Sequence, residues 1–182
     1  MKTALIGGIG NVLLGDDGIG PYVISLLESE YTFGENVAVA DLGTPALDLT
    51  HQIAWRNGVI FVDCVTSDEH TPGTVLIYRK EDILRVAPAQ RLDPHSPALS
   101  ECIMMADMLG ASPENILLVG IVGETCELGG CLSAAVRRAA REAITVVLQE
   151  LERLGFECKK RESGPLRNPT NLWSLGILPS SC

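Results

Sequence analysis

Leu5-Ile6-Gly7-Gly8-Ile9-Gly10-Asn11-Val12-Leu13-Leu14-Gly15-Asp16-Asp17-Gly18-Ile19-Gly20 passes from an apolar strand, through a glycine-rich turn, to two adjacent aspartates set between glycines. Lys2 to Ile6 is too short and too continuously apolar for a helix and reads as a buried first strand. Gly18 to Glu30 reads as a helix, with Ile19, Val23, Ile24 and Leu27 on one face and Pro21 tolerated in the first turn. Carboxylates just past a buried strand are costly unless they are paired, hydrated or bound to a cation. Asp16 and Asp17 are therefore site candidates as well as helix-capping candidates.

The same alternation continues along the chain. Asn36 to Ala40 reads as a second strand, ended by Asp41-Leu42-Gly43-Thr44-Pro45. There Thr44 suits the N-cap, and Pro45 the first position, of a helix running to about Trp55. Val59 to Val62 is a third strand, closing on Asp63, and the Thr71-Pro72-Gly73 turn leads into an edge strand, Thr74 to Tyr78. A polar, proline-containing loop, Arg85 to Pro97, carries His95. A helix over Ala98 to Leu109, a fifth strand over Asn115 to Ile121 and a long helix over Ser133 to Leu154 follow. Strands alternating with helices predict an α/β fold, a three-layer sandwich with a mostly parallel five-stranded sheet between helices. Residues 1–155 form that domain, and residues 156–182 read as an irregular C-terminal tail in which Trp173, Leu175, Ile177 and Leu178 are available for docking.

Composition narrows the partners. The 182 residues are 46% hydrophobic and 4% aromatic, enough for one core built mostly of Leu, Ile, Val and Ala. A net charge of −9 argues against nucleic acid or an anionic membrane surface as partner. No apolar run approaches the roughly 20 residues of a membrane span, and the N-terminus lacks a signal-peptide pattern. The expectation is a cytoplasmic, monomeric protein. The six cysteines are scattered without a C-x-x-C pair and read as reduced thiols; Cys126 and Cys131 lack the second close pair a zinc site requires.

In folds of this class ligands gather beyond the carboxyl ends of the strands. Asp17, Asp41 and Asp63 fall there, and the loop with His95 can reach the same rim. A dinucleotide loop at Gly8-Ile9-Gly10 lacks its third glycine and sets two aspartates where a pyrophosphate would lie, so a nucleotide-binding module is the weaker alternative. G-x-S-x-G and H-E-x-x-H are both absent. Two carboxylates and an imidazole suit a borderline divalent ion such as nickel or zinc. Of the paired aspartates, Asp16 is assigned to capping and Asp17 to the outward-facing role.

Gly8-Ile9-Gly10-Asn11-Val12-Leu13-Leu14-Gly15-Asp16-Asp17-Gly18-Ile19-Gly20, Asp41-Leu42-Gly43-Thr44, Phe61-Val62-Asp63, Pro94-His95 and Leu118-Val119-Gly120-Ile121, in this order and spacing, resemble the hydrogenase maturation proteases. The resemblance covers roughly residues 3 to 155. It implies a twisted sheet between helices and an endopeptidase that removes a C-terminal extension from the large-subunit precursor of a nickel–iron hydrogenase after nickel insertion. It implies that Asp17, Asp63 and His95 contact the metal and carry the reaction, with Asp41, Gly43 and Thr44 shaping the substrate cleft. The nickel is expected to arrive with the precursor rather than to be held permanently.

Overall fold

The computed structural model describes residues 1–45, 48–85 and 99–162. Seven strands and five helices are named in chain order: β1 (Ala4–Ile9), α1 (Ile19–Glu30), β2 (Tyr31–Phe33), β3 (Val37–Gly43), α2 (Leu49–Ile53), β4 (Gly58–Val65), β5 (Val75–Arg79), α3 (Lys80–Arg85), α4 (Leu99–Met108), β6 (Asn115–Val122), α5 (Ala134–Arg153) and β7 (Cys158–Lys160). A 3-10 turn, Gly15–Gly18, leads into α1.

Five strands form one sheet in the order β3-β1-β4-β6-β5. The pairs β1–β3, β1–β4 and β4–β6 are parallel and β5–β6 is antiparallel, so the expected edge strand is the one that reverses direction. The central strands are apolar almost throughout because both of their faces are covered. On one face α1 and α5 enclose Ile6, Ile60, Val62, Val119 and Ile121 with their own Val23, Leu27, Val136, Ile144 and Val147. On the other, Leu49 and Ile53 of α2, Ile83 of α3 and Cys102, Ile103 and Ala106 of α4 pack on Leu5, Val59, Phe61 and Ile116. This is the three-layer α/β arrangement the alternation predicts. Each Val, Leu or Ile buried in this way contributes about 1.5–3 kcal/mol.

Two expectations change. The helix anticipated from Pro45 to Trp55 spans only Leu49–Ile53, Thr44 is an exposed bend residue, and Asp48 at the N-cap makes no side-chain cap bond. Trp55 has left the helix at a φ of 63°, where its N–H donates to the Ala111 carbonyl at 2.8 Å. The segment expected to be irregular from residue 156 begins in an ordered way. Phe156 is buried in the core, and β7 pairs antiparallel with β2. Residues 163–182, with Trp173, Leu175, Ile177 and Leu178, lie outside the described residues.

Close helix–sheet contact positions the functional edge. A Cβ on Gly20, in the first turn of α1, would stand 2.1 Å from the Ile9 carbonyl oxygen and 2.5 Å from that of Val62. Only glycine lets the start of α1 rest on the ends of β1 and β4 this closely. The turn that precedes α1 is thereby set over the carboxyl edge of the sheet.

Candidate active site

The glycine-rich turn after β1 fixes Asp17. Gly10 has φ +132°, and a Cβ there would fall 1.9 Å from the Asp17 carbonyl oxygen. The chain therefore doubles back with no side chain between its two limbs, and the Asn11 N–H donates to Asp17 Oδ2 at 2.6 Å. Asp63 comes from β4, one residue beyond Val62, whose neighbour on β1 is Gly8. Its Oδ1 accepts the Cys64 N–H at 2.8 Å.

Asp63 is deeply surrounded by protein yet keeps some exposure to solvent, as a residue at the floor of a depression does. Burial first, and the charge of Asp17 second, hold its carboxyl well above the usual carboxylate range against the opposing Cys64 N–H. The structure thus brings Asp17 and Asp63 into electrostatic contact at the rim. His95, the third expected member, lies outside the described residues. Among the described residues, no group of three or more His, Cys, Asp or Glu side chains is placed to hold a metal ion.

Asp41 lies two residues before the end of β3 on the same edge, beside Gly8 on the far side of β1. Its Oδ1 accepts the Gly43 N–H at 2.9 Å, and Gly43, at φ +57°, accepts the Gly10 N–H at 2.8 Å. This local turn braces the exit of β1. The charge of Asp41 acts on Glu28 of α1, whose carboxyl is raised by burial first and by Asp41 second. Asp41 is thus on the rim with its charge felt by Glu28, and Thr44 follows it exposed to solvent.

Asp16 does not cap α1, contrary to the sequence expectation. The intervening 3-10 turn aims it inward, and α1 has no side-chain cap bond. Fully buried, its Oδ2 accepts the N–H groups of Glu124 at 2.8 Å and Thr125 at 3.2 Å, and its Oδ1 accepts that of Ser133 at 2.5 Å. The Asp16 N–H donates in turn to the Thr125 carbonyl at 2.9 Å. One carboxylate thus ties the loop after β6 to the turn that presents Asp17.

That loop contributes a residue the sequence reading left aside. Cys126 lies within hydrogen-bonding reach of the Cys64 thiol and of the Asp17 backbone N–H. Burial, then the nearby Asp17 and Asp16 charges, push the Cys126 thiol up. Cys64, Cys102, Cys126 and Cys158 are free thiols, as expected, whereas Cys131 is disulfide-bonded, contrary to the reading of all six as reduced. No motif marks Cys126, which follows the fifth predicted strand by five residues.

Comparison with known proteins settles the family. The sequence profile of the hydrogenase maturation proteases matches residues 21–150. The chain belongs to the hydrogenase maturation protease family. The hydrogenase 2 maturation protease of Escherichia coli K12 is 30% identical over 159 residues, covering 87% of this chain and 96% of that one. The hydrogenase expression/formation protein HoxM of Azotobacter vinelandii is 32% identical over 159 residues, covering 87% of this chain and 76% of its own length. The solved structure of the hydrogenase maturating endopeptidase HybD from E. coli superimposes with a TM-score of 0.81 at 30% identity, covering 87% of this chain and 98% of that one. As a hydrogenase maturation protease, this chain is a hydrolase that acts on a protein in hydrogenase maturation. Among its described residues no helix is long and apolar enough to cross a membrane.

Proposed function

We propose that this protease removes the C-terminal extension of a nickel–iron hydrogenase large-subunit precursor once nickel is in place, and that it reads the metal through Asp17, Asp63 and His95. The observation that carries the reading is the Asp17–Asp63 pair, held together at the carboxyl edge of the sheet despite mutual repulsion. Like charges kept this close in a protein interior cost stability unless a ligand uses them. A divalent ion on the incoming precursor relieves that repulsion and favours the ionised form of both carboxylates.

The course of α4 supports a role for His95. Lys80, the residue after β5, donates to Asp107 Oδ1 at 2.6 Å and pins the last turn of α4 at the opposite edge of the sheet. With ten residues, α4 is about 15 Å long. Its first residue, Leu99, thus points back toward the edge that carries Asp17 and Asp63, and His95 stands four positions before Leu99 in the chain. Strand alternation also favours this side, since Phe61 faces α2 and α4 while Val62 and Cys64 face α1 and α5, which puts Asp63 with Phe61.

In this reading the precursor's nickel is part of the substrate and anchors the cleavable segment in the cleft beside Asp41, Gly43 and Thr44. A carboxylate of the pair takes a proton from the attacking water, and the ion polarises the peptide carbonyl. The protein works in the cytoplasm as a monomer and needs no nucleic acid or membrane. The nucleotide alternative loses support. Asp17 Oδ2 already accepts the Asn11 N–H of the glycine turn, a donor a bound phosphate would need, and two adjacent aspartates set negative charge where that phosphate would lie.

The test incubates the purified protein with nickel-loaded and nickel-free precursor and follows the loss of C-terminal mass. Loaded precursor is shortened and nickel-free precursor is not. Equal cleavage of the two would overturn nickel reading. Asp17→Asn and His95→Ala each abolish processing while circular dichroism remains that of the folded chain; normal cleavage by the His95 variant would remove it from the site.

A further inference from the structure

We propose that the outer edge of β3 receives the C-terminal extension of the precursor as an added, antiparallel strand held by main-chain hydrogen bonds; the identity of this occupant rests on the function proposed above.

The edge is open. In the order β3-β1-β4-β6-β5, β3 ends the sheet and pairs with β1 alone among the described residues. The Ala4 N–H donates to the Asn36 carbonyl at 2.9 Å, and the register continues through Leu5↔Ala38, Ile6↔Val39 and Gly7↔Ala40. In a parallel ladder successive residues direct their main-chain groups to opposite sides of the strand. Asn36, Ala38 and Ala40 therefore bond toward β1, while Val37, Val39 and Asp41 face outward. The Gly34 carbonyl accepts the Val37 N–H at 2.9 Å. The N–H groups of Val39 and Asp41 and the carbonyls of Val37 and Val39 are left for a further strand.

The edge is also unprotected. Natural edge strands commonly carry charges, prolines or bulges that discourage pairing. Val37-Ala38-Val39-Ala40 has neither charge nor proline, and its pairing with β1 shifts register only at the rim, between Gly8 and Ile9. The opposite edge differs, since β5 ends in Arg79 and Lys80 follows it.

The edge leads to the site. β3 runs toward the carboxyl rim, where Gly8 lies beside Asp41 on one side and beside Val62, the residue before Asp63, on the other. A Cβ on Gly43 would meet no atom within 4 Å, so the way over the top of β3 is clear. Neighbouring strands lie about 4.8 Å apart. A strand beyond β3 is therefore roughly 10 Å from β1, a gap that about three extended residues cross to reach the turn bearing Asp17. Direction follows from the order of the substrate chain. The bond to be cut lies at the rim and the extension comes after it, so the extension leads away from the rim while β3 leads toward it. The added strand is antiparallel, and Val37 to Asp41 offers it about 17 Å of edge. Affinity that comes from main-chain groups makes small demands on the side chains of the extension.

The test uses the full chain, isotope-labelled for NMR, and a synthetic peptide with the sequence of the precursor's C-terminal extension. At saturating peptide, hydrogen exchange at the Val39 and Asp41 amides slows at least fivefold, while the Ala38 and Ala40 amides, already bonded to β1, do not change. Val39→Pro removes an outward N–H and leaves the β1 ladder intact. It keeps the folded circular dichroism spectrum, and its KM for nickel-loaded precursor rises about tenfold with kcat within twofold of wild type. Both amides unchanged at millimolar peptide, or a folded Val39→Pro with unaltered KM, overturns the proposal; if the variant does not fold, the amide measurement decides. Amides already protected in the chain alone, with a doubled mass in solution, place a second copy on the edge and also overturn it. If the peptide protects both amides and the wild-type chain fails to process precursor, the function proposed above fails while β3 stands as a peptide-binding edge.

Discussion

At Asp63, stability and proposed function pull in opposite directions. A carboxyl held above its ordinary value in the folded chain binds its proton more tightly there than in the unfolded chain. Its contribution is therefore complete below the unfolded value of about 3.9, and it is lost as pH rises through the raised folded value. At neutral pH the ionised form is a burden on the fold. Asp63→Asn removes that burden, so the variant is expected to melt at a higher temperature than wild type at pH 7, by about 2–4 °C for each kcal/mol relieved, while processing is lost. A lower melting temperature would contradict the assignment. Asp16 is the opposite case. Asp16→Ala leaves three part-buried N–H groups without their acceptor and is expected to destabilise the chain by about 1–3 kcal/mol in urea titration. Asp16 and Asp17 are adjacent and identical, and sequence alone could not tell which of them faces inward. That choice is made by a loop more than a hundred residues later, which local reading does not see.

The elements divide in the same way. The five main strands, α1, α4 and α5 were legible because each buries a continuous or periodic apolar set; the cap of α5, where Ser133 accepts the Val136 N–H at 3.3 Å, emerges only from the structure. β2 and β7 were missed: three residues each, without alternation, they exist only because they pair with one another. α2 came out short because the chain must leave it early to place Trp55 against Ala111. At α1, Gly20→Ala forces a methyl onto two backbone oxygens that cannot move aside. The expected cost is about 1–3 kcal/mol, with a larger loss of processing than of stability, because the displaced helix carries Asp17 with it. Far from the site, Glu150 of α5 accepts from Arg79 Nη1 at 2.6 Å and Arg153 Nη2 at 2.8 Å. Burial alone would raise this carboxyl, but the two guanidinium groups overcome it and hold it at about 2 instead of 4.5. Its stabilisation is present above pH 4.5 and is lost as pH falls toward about 2. Glu150→Gln is expected to cost about 2 kcal/mol at neutral pH and to flatten the acid limb of the melting profile over that window.

For the whole molecule, the Asp63 and Glu150 effects have opposite signs on the pH axis and predict stability that peaks on the mildly acid side of neutrality. Thermal melts that extend from the acid range in which Glu150 is protonated up through neutrality test this directly. Asp63→Asn should move the maximum upward in pH, and Glu150→Gln should lower stability above pH 4.5 and flatten its fall toward pH 2.

The Asp16 clamp also bears on how the chain comes to be folded. Its three donors lie 108, 109 and 117 residues downstream. Contacts that span so much chain close late, after nearer ones have reduced the entropy of bringing their ends together. The turn bearing Asp17 precedes all three donors in the chain, so its attachment through Asp16 is complete only once Ser133 has followed. A nascent chain stopped short of that point holds both site aspartates and still lacks the acceptor–donor set that orients one of them. The orientation of the Asp17 turn is thus tied to the closing of the whole domain.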